Sequence, residues 1–133
     1  MNSTEAKINL ISEMISFSVV DGKLHKKEYD FILSVATELK IDKQSYDHLF
    51  HEEIKPQKMQ YESDRIQQFY RLALLMHIDG ILHKKETISI HEIGIKMGLN
   101  PKSMDIVLNL MKQSNNCIIG PKVLFSAFES QHN

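Results

Sequence analysis

The sequence predicts an all-α fold: a single-domain bundle of about seven helices made from two related helical triplets. Three observations predict it. Residues Asp21-Gly-Lys-Leu-His-Lys-Lys-Glu28 recur, 58 positions later, as Asp79-Gly-Ile-Leu-His-Lys-Lys-Glu86, identical at seven of eight positions. Apolar residues return at three- and four-residue steps through most of the chain, and strand-like alternation is nowhere sustained. Helix-breaking and helix-capping residues fall between these periodic stretches.

Taken in order, the first helix spans about 4–20, with Ile8, Ile11, Ile15 and Val19 on one face. Asn9, Ser12, Glu13 and Ser16 interrupt its apolar stretch, and no basic segment precedes it, so it reads as an amphipathic helix rather than a signal peptide. A second helix covers 26–39 through Ile32, Val35, Ala36 and Leu39, and a third covers 43–53 behind the N-cap Asp42. Pro56 and the polar stretch 55–64 form a linker, in which Met59 is read as a surface anchor. The fourth helix, 64–78, uses Ile66, Phe69, Tyr70 and Ala73; the fifth, 84–97, stops at Gly98. Asn100-Pro101 supplies a cap and a first-turn proline for a sixth, 101–113, with Met104, Val107, Leu108 and Met111 inward. A loop through Asn115, Asn116 and Gly120 leads to a last helix, 121–130, with Leu124, Ala127 and Phe128 on its apolar face. The 58-residue offset also pairs Ile8 with Ile66, Met14 with Leu72, Ile32 with Ile90, Leu39 with Met97 and Ile41 with Leu99. One domain over 1–133 follows, with repeat one at about 4–54, repeat two at about 62–113 and a C-terminal helix.

Composition narrows the function. Hydrophobic residues make up 42% of the 133, enough to close a core without staples. Sixteen Lys and Arg against seventeen Asp and Glu leave a net charge of -1, so no overall field draws the chain to nucleic acid, and sequence-specific nucleic-acid binding is not expected. No run approaches the roughly 18 apolar residues of a bilayer span, leaving at most peripheral association. Cys117, the single cysteine, excludes an internal disulfide and fits a cytoplasmic address. Enzymatic signatures are missing: Ile95 stands where His91-Glu92 would need a second histidine for a metalloprotease motif, Cys117 has no base beside it in sequence, and there is no glycine-rich phosphate loop. A non-enzymatic module whose partners are other proteins is the expectation.

The repeated turn supports two chemistries. As a helix connector, Gly22 and Gly80 end one helix, while His25 and His83 cap the next and place Glu28 and Glu86 at the third helical position of a capping box. As a cation site, Asp21 with Glu28, and Asp79 with Glu86, bracket a tight turn with hard oxygen donors that suit calcium, magnesium or manganese. The spacing matches the second half of an EF-hand loop, with Gly22 at position 6 and Glu28 at 12. Positions 1 and 3 are Phe17 and Val19 in one copy and Leu75 and His77 in the other, so an ordinary calcium loop is excluded. His25 and His83 would tilt such a site towards zinc or nickel. Lys26, Lys27, Lys84 and Lys85, in the first turns of their helices, offer the alternative of an anionic surface or an acidic partner segment.

An Asp-Gly-x-hydrophobic-x-x-x-Glu turn, present twice with each Glu opening an amphipathic helix, resembles the TerB-like family named for tellurite resistance proteins, over about 7–112. That resemblance implies a duplicated helical bundle, a divalent cation held by Asp21, Glu28, Asp79 and Glu86, and a place in stress-response complexes. Val20 and Ile78 depart from the small residue that commonly precedes the Asp-Gly.

Overall fold

The computed structural model describes residues 3–20, 24–52, 59–78 and 84–129, and every regular element among them is helical. Helix α1 (Thr4–Ser18) starts where the Ser3 hydroxyl accepts from the Ala6 N–H at 3.0 Å. Its inner face is Leu10, Ile11, Met14, Ile15 and Phe17; Ser18, also buried, donates its hydroxyl back to the Met14 carbonyl at 2.8 Å. Helix α2 (Lys26–Glu38) buries Glu28, Ile32 and Ala36, each one turn beyond the last. Helix α3 (Lys43–His48) is capped by Asp42, which accepts from Ser45 N–H at 2.7 Å. The expected helix over 43–53 is shorter than that: from Leu49 to His51 the backbone tightens into a 3₁₀ turn, closed by Glu52 N–H on the Leu49 carbonyl.

Helices α4 (Glu62–His77), α5 (Lys84–Lys96) and α6 (Pro101–Gln113) follow. Asn100 caps α6 as expected, accepting from Lys102 and Ser103 N–H at 2.9 and 3.2 Å with Pro101 just inside the helix. After a 3₁₀ turn at Asn115–Cys117, α7 (Pro121–Glu129) closes the bundle. It packs on α6 and α4, with Phe128 edge-on to Phe69 at 6.4 Å. The Tyr70 hydroxyl pins the approach to α7, donating to the Ile119 carbonyl at 3.2 Å and accepting from the Ile119 N–H at 3.0 Å. Met59, read from sequence as a surface anchor, is half-buried and packs against the core.

Several positions 58 residues apart in the sequence can be compared in the helices described. Helices α2 and α5 are each thirteen residues long and start at Lys26 and Lys84. Ile11 and Phe69, Met14 and Leu72, Ile32 and Ile90, and Tyr46 and Met104 are all buried at matched positions. Helix α2 packs on α1 as α5 packs on α4, and α1 lies directly against α4, joining the halves in one core.

The ends of α2 and α5 match in finer detail. Gly98 takes φ 80° after α5, with its N–H on the Ile95 carbonyl and the Leu99 N–H on the Gly94 carbonyl. The matched residue after α2 is Lys40, which takes φ 64° and makes the same pair of bonds, Lys40 N–H to Thr37 and Ile41 N–H to Ala36. Both are Schellman caps, one built with glycine and one with a side chain forced into the left-handed region.

Candidate functional site

Each repeated segment leads in sequence into the N-terminus of α2 or α5, whose first turns hold its last residues. His25 is the N-cap of α2 in extended conformation (φ -89°, ψ 151°), and Glu28, at the third helical position, accepts from the His25 backbone N–H at 3.2 Å. The expected capping box is therefore present in the first copy. Glu28 and Glu86, 58 positions apart, are both only 2% exposed. A carboxylate is among the least often buried groups, and one placed in a first helical turn gains from the positive end of the helix dipole. Position, donor and dipole together explain how Glu28 tolerates burial.

The remaining predicted residues divide into two groups. Asp21, Asp79 and His83 lie outside the described residues. Lys26, Lys27, Lys84 and Lys85 are exposed on the first turns, as expected for side chains that meet solvent or a partner. Lys26 pairs with Asp30 at 3.0 Å, one turn on. Position 88, which matches Asp30 in the second copy, is isoleucine, so that pair has no counterpart from Lys84. His25 is half-buried beside Glu28. Among the described residues no group of three or more His, Cys, Asp or Glu side chains converges as metal ligands do.

Two polar arrangements were not anticipated. At the α1–α4 contact, fully buried Gln68 donates from Nε2 to the Leu10 carbonyl at 3.2 Å and to Glu13 Oε1 at 2.9 Å, and its own Oε1 accepts from Arg71 at 3.4 Å. Burial raises the Glu13 carboxyl above its ordinary value against the opposing pull of Gln68, and burial likewise lowers the Arg71 guanidinium. The signal was available: in the 58-residue register Gln68 falls opposite Leu10, an interior polar residue matched to an apolar one.

The second arrangement lies between α2 and α3, and between α5 and α6. Asp47 and Asp105, at matched positions, are each gripped from the preceding helix, but by different residues. The Tyr29 hydroxyl donates to Asp47, which also pairs with Lys43 at 3.2 Å. The bond from Tyr29 is the main cause of the lowered Asp47 carboxyl, and it raises the Tyr29 phenol in turn. Tyr29 stacks on Phe50 at 5.6 Å and lies 5.2 Å from Tyr46, whose buried hydroxyl donates to the Tyr29 carbonyl at 2.9 Å. In the second half His91 reaches Asp105 at 3.2 Å through Nε2 and the Thr87 carbonyl at 2.9 Å through Nδ1.

Comparison with known protein families, curated protein sequences and solved structures returns no match.

Proposed function

We propose that this is a non-enzymatic, TerB-like binding or scaffolding domain, a duplicated helical unit that takes a divalent cation at its two acidic turns within a stress-response assembly of the cytoplasm. The observation that carries the reading is the burial of both Glu28 and Glu86 in the first turns of α2 and α5. Each is a carboxylate withdrawn from water in a segment that also carries a repeated aspartate, and such an oxygen-donor set is chemically suited to a divalent cation. The residues that would hold the ion are Glu28 with Asp21 and Glu86 with Asp79, an all-oxygen set that favours calcium, magnesium or manganese; His25 and His83 would draw zinc or nickel. A bound ion would supply positive charge to these carboxylates and tie each turn to the helix after it. The chain's part is to present the carboxylates from helix starts that packing has already fixed.

A second reading rests on the exposure of Lys26, Lys27, Lys84 and Lys85. Positive charge in a first turn opposes the helix dipole, and an anionic surface or acidic partner segment would relieve that opposition without any metal.

Thermal unfolding of EDTA-stripped protein, with calcium, magnesium, manganese, nickel and zinc added in turn, separates the two. An ion at a hundred times its Kd adds about 2.7 kcal/mol of stability. The Asp21→Asn/Asp79→Asn variant should lose that gain, as should Glu28→Gln/Glu86→Gln, which keeps a capping acceptor and removes the charge. If no ion raises the Tm of the wild type, the cation reading fails and the turns act as connectors beside the lysine surface.

A further inference from the structure

The matched halves act as an internal control on which surface residues the fold requires. On the outer face of α2 and α3 the first half carries Asp30, Thr37 and His48; the second half has Ile88, Ile95 and Ile106 at the same positions of α5 and α6. Asp30 and His48 are well exposed, so packing sets no demand for hydrocarbon there. Ile88, Ile95 and Ile106 are nevertheless 51%, 59% and 36% exposed. Ile88 and Ile95 stand two turns apart on one stripe of α5. Between them His91 holds Asp105, the neighbour of Ile106, and so brings α6 alongside the stripe. Ile88 and Ile95 thus share one stripe of α5, and Ile106 is exposed on the helix packed beside it. Single exposed apolar residues need no explanation, but a group confined to one of two equivalent surfaces does.

The charges around this face indicate what would cover it. Exposed Lys84, Lys85, Lys96 and Lys102 lie on the same two helices as the isoleucines. Against them stand Glu92 and Asp105, and Asp105 is already engaged by His91. Lys96 and Lys102 replace Glu38 and Gln44 of the first half, and Ile88 removes the carboxylate that pairs with Lys26 there. Glu92 lies on the same stripe between Ile88 and Ile95, where a lipid surface would have to accommodate a carboxylate among the inserting side chains, whereas a peptide can meet it with a donor.

We infer that the α5–α6 face docks an acidic amphipathic helix of a partner protein, its apolar residues on Ile88, Ile95 and Ile106 and its carboxylates towards Lys84, Lys85, Lys96 and Lys102. This surface takes in Lys84 and Lys85 of the second repeated segment but does not depend on a cation there.

The test is selection of phage-displayed helical peptides, about sixteen residues long, against the full-length chain. Counter-selection uses Ile88→Asp/Ile95→Thr/Ile106→His, which installs the residues of the first half. Enriched peptides should carry apolar residues at helical spacing and a net negative charge. A synthetic copy should bind the triple variant at least about tenfold more weakly than the wild type. It should also bind Lys96→Glu/Lys102→Gln several-fold more weakly, with affinity falling as salt rises. Should the triple variant unfold, Ile95→Thr alone, at the most exposed of the three positions, takes its place. The proposal is overturned if no peptide distinguishes wild type from variant, or if the enriched peptides are basic. It is equally overturned if phosphatidylglycerol–phosphatidylcholine vesicles alone bind with the isoleucine dependence, or if sedimentation shows a wild-type dimer that the variant abolishes.

Discussion

Gln68 donates a hydrogen bond to the carbonyl of Leu10, the residue 58 positions before it and its own counterpart in the first half. The bond lies where α1 packs against α4. The same side chain supplies the Glu13 carboxylate with a donor in a place where water is largely excluded.

Replacing Gln68 with Leu, the residue of the matched position, should therefore cost about 1–3 kcal/mol in urea unfolding, because the largely buried Glu13 carboxylate loses its donor. The loss should shrink when Glu13→Ala is already present, since the stranded acceptor is then gone.

Glu13 also predicts a pH dependence. Its folded carboxyl titrates above the unfolded value, so the folded state binds the proton more tightly, and Glu13's contribution is full below the unfolded pKa near 4.5 and declines as pH rises through the folded pKa. Glu13→Gln should match or exceed wild-type stability at pH 7 and lose that advantage at pH 4. Urea midpoints at the two pH values check this.

The two Schellman caps predict opposite effects at matched positions. Lys40→Gly relieves a left-handed non-glycine residue and should stabilise by about 1 kcal/mol, while Gly98→Ala should destabilise by a similar amount. A Cβ at Gly98 meets nothing within 4 Å, so the second cost is conformational and not steric. Thermal melts of the two single variants should move in opposite directions.

Gly94 is a steric case. A Cβ there would lie 2.0 Å from Met104 Sδ and 3.4 Å from Phe69 Cε1. Gly94→Ala should lose about 1 kcal/mol or more net, overpacking of about 1–3 kcal/mol outweighing the gain in helix propensity. Met104→Ala should cost less in the Gly94→Ala background than in the wild type, which a double-mutant cycle reads directly.

His91 gives a pH signature of the same sign as Glu13, in a higher pH range. Its hydrogen bond to the Thr87 carbonyl and its contact with Asp105 raise its folded pKa above 6.5. The stability it adds is full below that unfolded value and is lost as pH rises through the folded pKa. Wild type should therefore exceed His91→Gln at pH 5.5 and lose the difference by pH 8.5. The margin should be under about 1 kcal/mol, because the pair is exposed.

Much of this fold was legible in the sequence, because its punctuation uses residues with strong local preferences. Gly98, the pair Asn100-Pro101, Asp42 and the His25-to-Glu28 spacing each announce a helix end, and each is found where expected. Lys40 was not legible, since lysine carries no preference for the left-handed region and is held there by the contacts of Leu39 and Ile41 with the core. Nor was the early end of α3, where Tyr46 and Phe50 pack edge-on at 5.2 Å across the tightening turn. For the candidate site, the capping geometry of Glu28 followed from spacing. The burial of Glu28 and Glu86 did not, because depth is set by how α2 and α5 lie against α1 and α4 and not by local sequence.

The chain has no tryptophan and four tyrosines, and their placement has an optical consequence. Tyr29 and Tyr46 share the first-half aromatic cluster, Tyr70 holds the approach to α7, and Tyr61 is largely exposed. Ultraviolet dichroism of the tyrosine bands therefore reports mainly on the first half and on the seating of the last helix, while α5 and α6, which hold no aromatic residue, are nearly silent. Separate loosening of α5 and α6 would pass unseen in that signal and stand out in the amide dichroism, so a mismatch between the two melting curves would place the weaker part of the bundle there.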